Sequence, residues 1–308
     1  MRNEALWEHS RHWLNLRPVY ALGRWLLENL PLEAAYAITW GTAWIASHAS
    51  PDIRRAIESN VRHVLSRTEP GLDDGERARR ARAIAARVFI NRGTWFADLS
   101  VLAGRRSMDG LFRSEVSGAW LGLQEALGSG RGAILASAHL GNWHGGGVLV
   151  ARRGLPVRSV LFHNHAGDFM DRDVARRGDL RQTFVDHDPF SMMEIVRALR
   201  KGELVAMLAD KPWDSRSIEA PFFGRPARFP LGPFRIARLA EVPIFPAFCI
   251  PLRPRHYRAE LCEPIEVAGP DPLEAERDAA ARFARVLERF VAPNLDLWFN
   301  FTPVWEEP

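Results

Sequence analysis

The sequence predicts an α/β fold in which a largely parallel central sheet is flanked by helices and follows an N-terminal helical segment. From Val116 onward, short apolar runs alternate with stretches of helical periodicity, the order that builds a parallel sheet covered by helices. A chain of 308 residues with 47% hydrophobic and 25% charged residues is large enough for one such domain and a helical extension. Because no repeat or low-complexity linker divides it, we predict a single domain over residues 51–308.

Residues 1–50 are predicted to be a helical segment that associates with a membrane. Residues 22–47 are rich in tryptophan and leucine, but Arg24, Glu28 and Glu33 interrupt them, and the remaining apolar run is too short for a bilayer. The aromatic residues are of the kind enriched at headgroup level: Trp25, Tyr36, Trp40 and Trp44. Residues 1–17 lack the apolar core of a cleaved signal, so we expect them to be retained. We expect an in-plane or half-inserted helix, and the alternative is a helical hairpin packed on the core.

Two scaffold helices are predicted between residues 51 and 102. In IRRAIESNVRHVL the apolar residues recur at helical spacing, and the following stretch begins with Asp73 and Asp74, as a capped helix should. The arginines of residues 77–87 either form a solvated face or contact phospholipid headgroups.

Six strands and six helices are expected after these two helices. The strands are predicted at residues 133–138, 157–162, 183–186, 204–209, 244–250 and 257–262. The helices are predicted at residues 120–127, 146–153, 169–177, 190–200, 232–240 and 273–291.

The net charge indicates which class of partner suits the protein, and the cysteine content indicates the redox state of its compartment. The formal net charge is +4, but no basic cluster is interleaved with aromatic residues as in a nucleic-acid platform. An anionic lipid or a phosphate-bearing substrate fits better. The two cysteines, Cys249 and Cys262, form neither a disulfide framework nor a metal-ligand spacing, which favours a reducing compartment.

His139 is predicted to be the reactive histidine among the ten in the chain. It lies in ASAHLGNWHGGG, where a short apolar run ends and Gly141 turns the chain into a glycine-rich helix. In open α/β sheets, ligands bind beyond the carboxyl ends of the strands, which is where this histidine would lie.

Four stretches of the sequence resemble one family of enzymes. They are NVRHVLSR, HLGNW, the segment at residues 204–248 that contains LVAMLADKPW and APFFGRPARFP, and NLDLWFNFTPVW. By these stretches the chain resembles the bacterial lipid A late acyltransferases, the lauroyl and myristoyl transferases of the glycerolipid acyltransferase superfamily. That superfamily also includes the phosphatidylinositol mannoside acyltransferases.

The resemblance implies acyl transfer at the cytoplasmic face of a bacterial inner membrane, by a peripheral or monotopic protein with a glycerolipid acyltransferase-like fold. The donor would be an acyl thioester on acyl carrier protein or coenzyme A, and the acceptor a hydroxyl of a membrane lipid or glycolipid. No cofactor, no nucleic acid and no acyl-enzyme are expected. His139 would be the general base, a role suited to an imidazole.

The chain departs from the family motif at the acidic position that follows the histidine. The motif is a histidine, four residues, then Asp or Glu, and this chain has His144 at the acidic position. A neutral His144 could accept a hydrogen bond from His139 but supplies no negative charge. The candidate acid is Asp210, because it follows a strand predicted to lie parallel to that of His139. Asp168 and Asp171 are alternatives, and an ordinary capping role is the alternative for Asp210.

Substrate contacts are expected around the same crevice. Asn142 lies within HLGNW. Cationic side chains could hold a phosphate of either substrate: Arg176, Arg177, Lys211, Arg225 and Arg228. An aromatic cluster is expected either to wall the acyl chain or to be plain core: Phe222, Phe223, Phe229 and Leu231.

Two other classes of function stay open at this stage. Histidines and aspartates near the predicted strand ends could bind zinc for metal-assisted hydrolysis: His139, His144, His163, His165, Asp168, His187 and Asp188. A catalytically silent relative that only binds lipid is the other alternative.

Overall fold

The computed structural model describes residues 25, 29–103, 113–161, 172, 174–176, 180–185, 190–212 and 216–305. The helices that the structure describes before the sheet are α1 (Leu32–Ala49), α2 (Pro51–Thr68) and α3 (Asp74–Ala103). Helix α1 packs closely along α3, since a Cβ at Gly93 would lie 2.7 Å from the Thr39 carbonyl oxygen. The Trp40 indole N–H also donates to Thr94 Oγ1 at 2.8 Å.

Helix α1 therefore has one packed and one open face. Ala35, Tyr36 and Ala46 are buried, whereas Trp44 and Ile45 are 60% and 54% exposed. The helix thus packs on the protein and still presents large apolar side chains, and its association with a membrane stays a prediction. Within the described part of the chain, none of the helices has the length and apolar content needed to cross a membrane. The division of the chain at residue 50 stays a prediction.

The rest of the chain alternates strands and helices, as the sequence predicted. In chain order the elements are β1 (Arg113–Gly118), α4 (Trp120–Gly128), β2 (Ala133–Ser137), α5 (Trp143–Ala151), β3 (Val157–Leu161), β4 (Arg181–Phe184), α6 (Ser191–Arg200), β5 (Leu204–Leu208), β6 (Ser217–Phe222), β7 (Arg225–Pro230), α7 (Gly232–Ala240), β8 (Ile244–Arg253), β9 (His256–Leu261), α8 (Pro272–Val291) and a 3₁₀ segment (Ala292–Leu297).

Seven strands form the central sheet in the order β1-β9-β8-β2-β5-β3-β4. Every neighbouring pair is parallel except β8 and β9, which a short turn joins as an antiparallel pair. The predicted class, a largely parallel sheet flanked by helices, is confirmed. The parallel neighbours β2 and β5 are in register from Ala133 opposite Leu204 to Ser137 opposite Leu208, so both strands end at the same edge.

Several element predictions were wrong or incomplete. Strand β1 was missed because its sequence, RSEVSG, is short and mostly polar. The antiparallel hairpin of β6 and β7 was also missed, since each strand contains proline and Pro221 lies opposite Pro226. Helix α5 begins at Trp143 instead of residue 146, and β4 lies at Arg181–Phe184 instead of 183–186. The helix predicted at 169–177 lies partly outside the described residues.

Candidate active site

His139 lies two residues beyond the end of β2, on a turn that only glycine can complete. Gly141 has a φ of +64°, and a Cβ there would lie 2.2 Å from the Cys249 carbonyl oxygen. The turn is tied to the C-terminal segment on both sides, because Gly141 N–H donates to the Leu297 carbonyl at 3.0 Å and Phe299 N–H donates to the His139 carbonyl at 2.7 Å. The C-terminal segment at residues 297–299 therefore holds the backbone of residues 139–141 in place.

Asp210 follows β5 and contacts His139 twice. Its Oδ2 accepts the backbone N–H of His139 at 2.9 Å, and its Oδ1 lies 2.9 Å from His139 Nδ1. The Asp210 side chain is 1% exposed and the His139 side chain 16%. Because a carboxylate can only accept, Nδ1 carries the proton of a neutral imidazole, and Nε2 is then its basic nitrogen. An imidazole held in this way can act as a general base, the role that the resemblance implies for His139.

An aromatic group lies against the imidazole of His139. The Trp143 ring meets the His139 ring edge-on with 5.2 Å between centroids and stacks on Trp95 of α3 at 5.1 Å. The guanidinium carbon of Arg92 lies 3.5 Å from the centre of the Trp95 ring. These contacts restrict the orientation of the imidazole and place a cation within the same aromatic group.

His144, which stands at the family's acidic position, lies in the first turn of α5 and points toward α3. Its ring centroid is 5.4 Å from that of Trp95 and 5.3 Å from that of Trp143. The carboxylate next to His139 Nδ1 comes instead from Asp210 on the neighbouring strand. The structure thus brings His139 and Asp210 together in the way that the strand order predicted.

Asn142 has protein partners at both ends of its buried side chain. Its Oδ1 accepts the Gly145 N–H at 2.9 Å and so caps α5, while its Nδ2 donates to the Tyr257 hydroxyl at 3.1 Å. Its described contacts are those of a structural residue. The predicted contact between Asn142 and substrate stays a prediction.

An apolar pocket of about 70 Å³ opens between α5 and the sheet. Its lining includes Trp143, whose ring contacts His139, together with Ser137, Trp120, Leu135 and Phe248. Gly146 and Gly147 of α5 also line it, and a Cβ at Gly146 would lie only 3.1 Å from the Cys249 Cβ. The glycine-rich turn of α5 therefore keeps space open beside the histidine.

Comparison with known families shows to which protein family the chain belongs. A model of the bacterial lipid A biosynthesis acyltransferases matches residues 3–307, nearly the whole sequence. The chain belongs to the bacterial lipid A biosynthesis acyltransferase family. Phosphatidylinositol mannoside acyltransferases of Mycobacterium tuberculosis (strain H37Rv) and Mycolicibacterium smegmatis are each 24% identical to it over 188 residues. The alignments cover 59% of this chain and 57% and 60% of those two relatives, so the chain spans less than two thirds of their length.

In this lipid A acyltransferase-family protein, the predicted aromatic wall is part of the hydrophobic core. Phe222 stacks on Trp305 with 5.6 Å between centroids, Phe229 packs on Phe283 of α8, and the Phe223 carbonyl lies 3.0 Å from His63 Nε2. None of the three lines the pocket beside His139. Their packing favours the core alternative, because the β6–β7 hairpin covers α8 and α2 instead of the pocket.

The predicted cationic contacts are dispersed. Lys211 follows Asp210 directly, and burial lowers its pKa while the charge of Asp210 opposes that shift. Arg225 lies at the hairpin near His63, whereas Arg228 and Arg176 are exposed. Arg177 lies outside the described residues. Of this set, only Lys211 is next to the His139–Asp210 pair in sequence, and the substrate contacts of all five stay predictions.

The zinc alternative gains no support from the described residues, among which no group of three histidine, cysteine, aspartate or glutamate side chains is arranged to hold a metal. The other residues of the proposed zinc site lie outside the described residues: His163, His165, Asp168, His187 and Asp188.

Sequence analysis did not single out Trp95, Arg92 and Asp98 of α3. These residues form no motif, and only the packing of α3 against α5 and β9 brings them to the site.

Proposed function

We propose that the protein is an acyltransferase that moves a fatty acyl chain from an acyl thioester to a hydroxyl of a membrane lipid or glycolipid, with His139 as general base. The observation that carries the proposal is the His139–Asp210 pair at the carboxyl edge of β2 and β5. The pair lies beside an apolar pocket, as transfer of a hydrocarbon chain requires. Both the matched family and the relatives carry the names of acyltransferases.

The proposed reaction needs one base and no covalent intermediate on the protein. His139 Nε2 takes the proton of the acceptor hydroxyl as its oxygen attacks the thioester carbonyl carbon. The tetrahedral intermediate then breaks its carbon–sulfur bond, and the leaving thiolate takes the proton back from Nε2. Asp210 keeps Nδ1–H in place and stabilises the imidazolium while it exists. The products are the acyl ester and a free thiol.

The acyl chain is proposed to enter the pocket between α5 and the sheet. Its lining is mainly apolar, and Ser137 and Trp143 connect it to the histidine end of β2. Phe222 and Phe223, which were also expected near the acyl chain, both contact Trp305 and do not line this pocket. Lys211 is proposed to attract the anionic part of the donor or acceptor, since its charge lies next to Asp210 in a partly enclosed site.

The function is tested by comparing membrane lipids of cells with and without the gene by mass spectrometry. We expect one lipid class to lack a single acyl chain in the deleted strain. Purified protein should restore that chain in vitro from acyl carrier protein thioester or coenzyme A thioester, and the faster of the two identifies the donor. Unchanged lipids together with no transfer from either donor would contradict the proposal. Donor binding without transfer would instead indicate a silent lipid-binding relative.

A membrane-surface location is proposed from the open face of α1. Large apolar side chains on or before this helix are exposed: Trp25, Ile38, Trp40, Trp44 and Ile45. Exposed tryptophan and isoleucine side chains suit the headgroup boundary of a bilayer, where they bury apolar area without spanning it. We propose the cytoplasmic face of the inner membrane, because the proposed thioester donors are cytoplasmic molecules.

The double variant Trp44→Ser/Ile45→Ser should bind vesicles of phosphatidylethanolamine and phosphatidylglycerol at least tenfold more weakly than the wild type. Each side chain contributes on the order of 1.5–3 kcal/mol when it leaves water, and about 1.4 kcal/mol is a factor of ten. Co-sedimentation with the vesicles measures the effect. The control is Leu121→Ser/Leu273→Ser, which removes exposed leucines of α4 and α8. Equal binding by wild type and both variants would refute the role of α1.

A further inference from the structure

A buried polar network lies beneath the loop that carries His139, and its centre is Asp98 of α3. Asp98 is 1% exposed and accepts hydrogen bonds from the Tyr36 hydroxyl at Oδ1 and the Tyr257 hydroxyl at Oδ2. The backbone N–H of Arg255 is a third donor to this carboxyl group. The network therefore joins α1, α3 and the start of β9.

The network reaches the loop of His139 through Tyr257. The Tyr257 oxygen accepts from Asn142 Nδ2 at 3.1 Å, and Asn142 Oδ1 accepts the Gly145 N–H at 2.9 Å. A carboxylate can only accept, so it directs the Tyr257 hydrogen toward Asp98 and turns an oxygen lone pair toward Asn142. That arrangement in turn requires Asn142 to present Nδ2 to Tyr257 and Oδ1 to the first turn of α5.

The orientation of Asn142 matters because it lies between the proposed base and its aromatic support. Its backbone N–H donates to the Cys249 carbonyl at 2.8 Å, and the next residue, Trp143, meets the His139 ring edge-on. A flipped Asn142 amide would place an N–H opposite the Gly145 N–H and lose the cap of α5. The position of Trp143 against His139 would then no longer be fixed.

We propose that Asp98 is a positioning residue for acyl transfer, which acts through Tyr257 and Asn142 to hold the loop of His139 and Trp143 in its working geometry. The inference rests on the proposed function, because it assumes that His139 is the base. Orientation of this kind is worth a large factor in rate, since a misplacement of about 1 Å in a reacting group can cost about a hundredfold.

Stabilisation of the folded protein does not explain why an ionisable residue occupies position 98. Burial raises the pKa of this carboxyl group to about 6, and the two tyrosine hydroxyls and Arg255 only partly offset that effect. The folded protein binds this proton more tightly than the unfolded chain, so the contribution of Asp98 to the free energy of unfolding falls as pH rises from about 4 to about 6. Above pH 6 the ionised group costs stability, and charged groups kept at such a cost are concentrated at functional sites.

Three variants separate a positioning role from a merely structural one. Tyr257→Phe removes the single oxygen that links Asp98 to Asn142, and Asp98→Asn leaves one acceptor oxygen where three donors converge. Both should lower kcat about tenfold to a hundredfold, with the donor KM within about threefold of the wild type. Tyr36→Phe is the matched control, because it removes a hydroxyl from the other carboxyl oxygen and leaves the link to Asn142 in place, so its loss should be much smaller.

Hydrogen exchange gives a readout that does not depend on activity. Amides of residues 139–147 should exchange faster in Tyr257→Phe and Asp98→Asn than in the wild type or Tyr36→Phe. The double variant Asp98→Asn/Tyr257→Phe should lose no more kcat than the worse single variant, since both break one chain of contacts. Melting temperatures at pH 7.5 establish that each variant is folded.

Wild-type kcat in a folded Asp98→Asn or Tyr257→Phe variant would overturn the inference. So would equal losses in Tyr36→Phe and Tyr257→Phe that follow their melting temperatures, because that pattern is one of general destabilisation. Wild type and His139→Ala are assayed alongside. If the wild type transfers no acyl chain, or if His139→Ala remains active, the proposed function fails. If the wild type is active and His139→Ala is inactive, a wild-type rate in the Asp98 and Tyr257 variants contradicts only the role of Asp98.

Discussion

His139→Ala is expected to lower acyl transfer about a thousandfold while the protein stays folded. The substitution removes the Nε2 lone pair that takes the acceptor proton, and general base catalysis contributes about 10²–10⁴ in rate. The side chain is only one part of the contact with Asp210, whose Oδ2 keeps the backbone N–H of residue 139. Product formation and a thermal melt, measured on the same preparation, check both halves of the expectation.

His139→Asn is the matched control for this first prediction. Its amide N–H can donate to Asp210 Oδ1 in place of Nδ1–H, so Asn should be as inactive as Ala but more stable. The Ala variant leaves a buried carboxylate oxygen without its donor, which costs about 1–3 kcal/mol. Turnover near the wild-type rate by a folded variant of either kind would eliminate His139 as the base.

Asp210→Asn is expected to lower kcat by about 10³–10⁴ with little change in fold. Two N–H groups of His139 point at the two carboxyl oxygens, and an amide offers one oxygen and one N–H₂ group. The imidazole is then driven to the tautomer that carries its proton on Nε2, where it cannot act as a base. In the serine-protease triad the same change costs about 10⁴ in kcat. Steady-state rates with saturating donor measure the effect.

Variants of His144 provide the contrast to Asp210→Asn. His144 packs against Trp95 and Trp143, so His144→Ala should cost no more than about tenfold. His144→Glu restores the acidic residue of the family motif and should be tolerated, because Asp210 already supplies the carboxylate at His139 Nδ1. An inactive His144→Ala variant beside a normal Asp210→Asn variant would mean that the site works through a histidine pair.

The local parts of the site could be predicted from the sequence. A short apolar run, a histidine and a glycine with positive φ determine a strand, a turn and a helix start within residues 133–147, and the structure has these elements there. Alternation of strands and helices also determined the sheet, since a parallel neighbour needs a crossover helix. Asp210 could be proposed because it ends such a neighbour. Strand β1 and the β6–β7 hairpin could not be predicted in this way, because β1 is mostly polar and both strands of the hairpin contain proline.

What the sequence determined, then, is the family, the largely parallel sheet and the position of His139, because each depends on local patterns or on motifs within one segment. Only the tertiary structure decided which groups meet there. It brought Asp210 to His139 across 71 positions and Tyr257 to Asp98 across 159, and it placed Phe222 against Trp305 instead of the pocket. Such pairs produce no periodic pattern in the sequence. A hydrogen bond or ring contact between distant segments depends on how α3, β5 and β9 pack and not on the residues beside it in the chain.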